Sequence, residues 1–276
     1  MKNVATTVPA TLLGALLFLG SVLLLMGLTG GVGWADSAVR LTDDSAVDYD
    51  PCFSPDGTQI LFYSINRPGN VGGSDVWVMP ASGGTPTRLT DGAGEDFGAH
   101  WSPDGSTIIF VSDRAGHENL WVMPAAGGAA TQLTNTAAND LCPVYSPDGT
   151  RIAFMSNRGG DYQIWIVPAS GGTPSQVTHH SGNAYGPSWS ADGRFIGFQS
   201  LSGADLWLVP AEGGPASVLY DDPVYGCCPP WSPDGRLIAF YSRQSGNGDV
   251  WVLPAAGGAP VRVTDNPAQD APGGWS

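Results

Sequence analysis

Positive charge is almost missing from this chain: of 276 residues only 11 are Lys or Arg, Lys2 is the sole lysine, and 25 acidic residues leave a formal net charge of -14. Binding to a nucleic-acid backbone depends on clustered Lys and Arg that displace counterions, so nucleic acid is excluded as a partner. Anionic membrane surfaces are disfavoured in the same way. Cationic partners, metal ions and neutral ligands fit such a field, and charge of this size also serves solubility. Histidine is scarce as well: of His100, His117, His179 and His180, only the last two share a loop, too few for a metal-and-histidine centre. Neither a G-x-S-x-G elbow nor a Ser, His and Asp set at catalytic spacing occurs. Glycine (39) and proline (23) approach the level of low-complexity disorder, but ten tryptophans and 42% hydrophobic residues argue for a folded core.

The first 35 residues differ from the rest. Lys2 precedes a Leu-rich apolar run from Val8 to Leu28, and Gly33, Trp34 and Ala35 offer the small residues a signal peptidase reads. The segment 1–35 is expected to be a secretory signal cut after Ala35; the run also suffices to span a bilayer, so an uncleaved anchor is the second reading. Either way residues 36–276 fold outside the cytoplasm, and membrane contact is expected only if the segment is kept.

Self-similarity organises the remainder. The block Ser-Pro-Asp-Gly starts at Ser54, Ser102, Ser146 and Ser232, with a variant at Ser190, in steps of 48, 44, 44 and 42 residues. Eight positions after each anchor serine stands Phe62, Phe110, Phe154, Phe198 or Phe240, and two further on Ser64, Ser112, Ser156, Ser200 or Ser242. Each unit then reaches Trp77, Trp121, Trp165, Trp207 or Trp251, a proline three residues later and a Gly-Gly pair, and all but one finish on Thr90, Thr134, Thr178 or Thr264. Turn residues cut every unit into four short apolar strands, which is one propeller blade. A blade buries both of its faces only by stacking on its neighbours, so the aromatic columns are expected to be inter-blade core. The fold class is therefore all-β: a propeller of four-stranded antiparallel blades, five of them complete, with partial strands at both ends.

These residues resemble the TolB-type propeller repeat, P-x-W-S-P-D-G followed by I-A-F-x-S, I-W-V-M, Gly-Gly and L-T, as in the run Pro143 to Phe154 with Tyr145 in place of Trp. The resemblance runs from Val39 to Ser276. It implies an extracytoplasmic binding or scaffold propeller whose partners are envelope or extracellular proteins or a cationic or neutral ligand. It also implies an alternative, the propeller portion of a larger peptidase or polysaccharide lyase whose catalytic part lies elsewhere. Val39 to Thr42 read as a fourth strand with no strands before it, and Ala271 to Ser276 as a first strand. Neither end is expected to supply the second and third strands of a sixth blade, which suggests a propeller of six or more blades truncated after Ser276.

Loops joining fourth to first and second to third strands share one face of such a fold. Six residues before the anchor serines, Asp48, Asp96, Asp140 and Asp270 are expected to converge at the channel mouth, where carboxylates suit Ca²⁺; the alternative is an Asx-turn at each. No other cofactor is indicated. Asp43, Asp44, Glu95, His179, His180, Asp221 and Asp222 belong to the same interaction face, with Arg114 and Arg158 expected to brace its loops. Cys142 and Cys228 share a repeat position two blades apart, and adjacent Cys227 and Cys228 form a vicinal disulfide or remain free thiols.

Overall fold

The computed structural model describes residues 41–42, 45–70, 73–200, 206–221 and 229–265, and the backbone of Asp205, Val224–Tyr225 and three N-terminal strands. Each Ser-Pro-Asp-Gly block forms the tight turn its chemistry requires: proline presets φ, and Gly57, Gly105, Gly149, Gly193 and Gly235 take φ of 69 to 71°. Within the turn the serine hydroxyl donates to the aspartate (Ser54, Ser102, Ser146 and Ser232, each at 2.6 Å), and a backbone N–H two residues on donates to the same oxygen. These donors favour the carboxylate form, holding Asp56, Asp192 and Asp234 below the usual range and lowering Asp104 and Asp148 to about 2. A depressed folded-state value stabilises the fold above the unfolded value and is lost as pH falls through it. Thermal midpoints should therefore hold from neutrality to about pH 4 and fall between about pH 4 and 2. Asp104→Asn with Asp148→Asn should flatten that fall, and an unchanged slope in scanning calorimetry would contradict this account.

On either side of the turn lie the first two strands of a blade. Blade 1 comprises Val47–Phe53, Gln59–Ile65, Ser74–Pro80 and Thr87–Arg88; blade 2 Asp96–Trp101, Thr107–Ser112, Asn119–Pro124 and Thr131–Gln132. Blade 3 comprises Asp140–Tyr145, Arg151–Ser156, Gln163–Pro168 and Ser175–Gln176; blade 4 Ala184–Trp189, Phe195–Ser200, Asp205–Pro210 and Ser217–Tyr220. Blade 5 comprises Val224–Tyr225, Leu237–Ser242, Asp249–Pro254 and Val261–Arg262. Each is a four-stranded antiparallel sheet in sequential order, and among the described residues there is no helix. The repeated threonine ties the short fourth strand to the third, because Thr90, Thr134, Thr178 and Thr264 accept the N–H of Val76, Leu120, Ile164 and Val250.

The core sits between blades. Phe62, Phe110, Phe154, Phe198 and Phe240 are fully buried, each in a seam with aliphatic residues of a neighbouring unit. Leu89 and Leu133 lie under the Gly-Gly turn of the next blade, and Leu41 lies under that of blade 1 in the same way. Leu41 thus occupies the place of a preceding blade's fourth strand.

One expectation is corrected here. Ala38–Arg40 does have strand partners: it pairs with Leu23–Met26, which pairs with Leu16–Phe18, in a three-stranded antiparallel sheet beside blade 1. A blade strand covered on both faces reads as an unbroken apolar run, and periodicity cannot separate it from the core of an export signal. The final segment 266–276, with its expected first strand, lies outside the described residues.

Candidate functional site

The loop face is built from one device repeated three times. Asp48, Asp96 and Asp140 open the first strands of blades 1 to 3, opposite Ser64, Ser112 and Ser156 on the second strands. The loop that follows carries Arg67, Arg114 or Arg158 back over the sheet. Arg67 donates to both oxygens of Asp48 (2.9 and 2.8 Å), Arg158 to both oxygens of Asp140 (2.8 Å each) and Arg114 to Asp96 at 2.7 Å. Each guanidinium Nε donates to the blade's serine hydroxyl, at 2.9 to 3.1 Å. Its central carbon stands over the phenylalanine and tryptophan rings of the same blade, 4.8 to 5.4 Å from their centroids. All three carboxylates are at 0% exposure.

Guanidinium groups thus take up both oxygens of Asp48 and of Asp140 and one oxygen of Asp96, whose other oxygen is buried without a hydrogen bond. Their charge is met within each blade, and among the described residues no three His, Cys, Asp or Glu side chains gather as a metal set. Asp270, Asp43, Asp44 and Asp222 lie outside the described residues, as do Cys227 and Cys228. Arg114 and Arg158 act as loop braces, and Arg67 joins them from one position later, after Asn66 at φ 61°. Arg243 stands apart, donating to the Tyr241 hydroxyl at 2.8 Å.

In blades 4 and 5 both members of the pair are gone. Ala184 and Gly226 replace the aspartate, and Ser202 and Gln244 stand where the arginine would. The slot over the phenylalanine is filled instead by a residue that precedes the blade's first strand. His180 meets Trp207 edge-on at 4.8 Å and approaches Phe198 at 6.1 Å, with its Nδ1 3.5 Å from the Ser200 hydroxyl. Tyr220 lies 5.4 Å from Phe240. This joint loss is visible when the repeats are aligned and marks the partners as a pair; taken column by column, the aspartates and arginines stand as separate features.

Over this framework lie partly exposed aromatic rings at the loop-face ends of the strands. Tyr49 stacks on Tyr63 at 5.1 Å, Tyr63 meets Phe97 at 6.1 Å, and Tyr162 meets Tyr185 at 5.8 Å. Tyr49, Phe97 and Tyr185 share a repeat column, five residues before the anchor serine, but Leu141 and Cys227 interrupt it and Tyr63 and Tyr162 lie outside it, so the band does not stand out in the sequence. Glu95, His179 and Asp221 are exposed, and Glu95 accepts from the N–H and hydroxyl of Ser74, joining the loops of blades 1 and 2. A β-bulge recurs in the first strand of blades 1 to 4. Gly98 and Gly186 carry its positive φ in two of them, while Asp50 (47°) and Cys142 (51°) bear it as non-glycine residues. Bulges of this kind re-aim side chains at the rims of sheets.

The sequence of residues 116–204, from the second loop of blade 2 into blade 4, matches the N-terminal β-propeller domain family of Tricorn protease. Among solved structures the chain superposes on a TolB-type protein of Agrobacterium tumefaciens with a TM-score of 0.72, at 22% identity over 86% of this chain and 87% of the other. TolB of Acinetobacter baumannii gives 0.77 at 20% identity, with 95% of this chain covering 65% of that one. The fold is a TolB-like β-propeller. A chain of a nidogen–laminin complex superposes on the TolB-like propeller equally well, at 0.72 and 13% identity over 94% of this chain and 96% of the other. No curated protein matches its sequence.

Proposed function

We propose that this TolB-like propeller is an extracytoplasmic binding module that engages an envelope or extracellular protein, or a cationic or neutral ligand, through its loop face. The observation that carries the reading is the band of half-exposed rings, Tyr49, Tyr63, Phe97, Tyr162 and Tyr185, seated on buried Asp–Arg braces. Tyrosine offers broad contact area at small entropic cost, and a rigid support lowers the cost of binding further. The exposed acids around the rings favour a basic or uncharged partner over an anionic one. Three neighbours in fold are consistent with it, the two TolB proteins and the chain from the nidogen–laminin complex.

Export rests on the apolar segment before Ala35; cleavage there would remove the two N-terminal apolar strands and with them the strand partner of Ala38–Arg40. The reading needs no cofactor, because guanidinium groups already neutralise the three buried carboxylates that would attract Ca²⁺. A second reading, the propeller part of a larger peptidase, draws on the match to the Tricorn protease propeller family.

Capture from an envelope extract tests the proposal. The wild-type chain is expected to retain a defined partner, with or without Ca²⁺, and Tyr63→Ala with Tyr162→Ala to lose it at least ten-fold while thermal stability is nearly kept. Arg236→Ala, an exposed change on the opposite face, should leave capture intact. Capture indifferent to the tyrosines, or proteolysis of unfolded casein by the purified chain, would sink the binding reading.

A further inference from the structure

Cys52 and His100 occupy the same repeat position, two residues before the anchor serine, in blades 1 and 2. Their side chains meet across the seam between those blades, with the thiol sulfur 3.8 Å from the imidazole Nδ1. The other blades carry Val144, Ser188 and Pro230 there, so the seam of blades 1 and 2 alone pairs two soft donors at that level. The two donors are held from different blades. The indole of Trp101, next to His100, donates to the carbonyl of Cys52 at 3.3 Å, and Cys52 packs against the cluster of Ala99, Trp101 and Val78.

We propose that this thiol–imidazole pair is a binding site for a single monovalent copper ion. A sulfur–nitrogen separation of 3.8 Å can be spanned by one metal at bonds of about 2.0–2.3 Å. Thiolate and imidazole together select Cu(I) or Zn²⁺ among common metals. Zinc takes three or four protein donors, and among the described residues no third His, Cys, Asp or Glu completes such a set; Cu(I) is satisfied by two soft donors. Binding replaces the S–H bond by an S–Cu bond and releases the thiol proton to solvent; the imidazole contributes the lone pair of neutral Nδ1.

The test uses the full chain carrying Cys142→Ser, Cys227→Ser and Cys228→Ser, so that Cys52 is its sole thiol, titrated anaerobically with Cu(I) against a chromophoric chelator. One equivalent per chain is expected, with X-ray absorption showing one sulfur and one nitrogen neighbour. His100→Leu, which keeps the thiol, should weaken binding at least ten-fold, and Cys52→Ser should abolish it. Near-UV circular dichroism confirms folding of each variant. No uptake by the folded parent, uptake unchanged by His100→Leu, or Zn²⁺ bound as tightly as Cu(I) would each overturn the proposal.

Discussion

Arg67→Ala should lower stability by about 3–5 kcal/mol, because it leaves the Asp48 carboxylate buried without its counter-charge. The pair is among the least exposed in the protein, 6% for the arginine side chain and 0% for the aspartate. The guanidinium also spans Phe62 and Trp77, so its removal opens space over both rings. For a folded unit of this size the loss corresponds to a fall of about 6–20 °C in Tm. Arg158→Ala should cost less, since Arg158 is 16% exposed and water reaches Asp140 more easily once it is gone. The double change Asp48→Leu with Arg67→Met should recover most of the loss, because a buried ion pair replaced whole by apolar groups is often neutral. Scanning calorimetry of the four proteins decides this. If the double variant is as unstable as Arg67→Ala, an unpaired charge is not the source of the effect.

Phe154→Ala is expected to be of similar size, about 3–5 kcal/mol, for a different reason. Phe154 is fully buried in the seam of blades 2 and 3 with Ile109, Val111, Leu120 and Val167, and a seam between two sheets cannot collapse around the void without moving a blade. Its ring also floors the Arg158 slot, so the brace loses one of its two aromatic contacts. Phe195→Ala is the control. Phe195 is partly exposed at the start of its strand, and its loss should stay below about 1 kcal/mol. Chemical denaturation read by tryptophan fluorescence would show the contrast; comparable losses at both positions would mean that the phenylalanine column is not the inter-blade core.

The blades were legible because the same devices recur in the same order. Ser102, Asp104 and Gly105 are a local turn; Phe110 follows at an offset common to all five units, Trp121 and Thr134 at offsets that change only with loop length, and local chemistry repeated in this way admits few folds. The recurrence of Arg114 and Arg158 at matching positions was legible in the same way. The destination of Asp48, Asp96 and Asp140 was not. A column of acids reads alike whether it opens on a channel or turns back under a guanidinium, and the deciding contact comes from a loop 18 or 19 residues away.

Taken alone, the order of residues determined the blade, its five copies, the acidic field and the face on which the variable loops gather. All of these follow from short-range turn chemistry and periodic burial. Only the tertiary structure decided which charges cancel inside a blade, which rings stay partly exposed on the loop face, and that Cys52 stands beside His100. Those outcomes depend on how neighbouring blades are rotated against one another, and that rotation is set by seam packing contributed jointly by residues about 44 positions apart, so no local stretch of sequence records it.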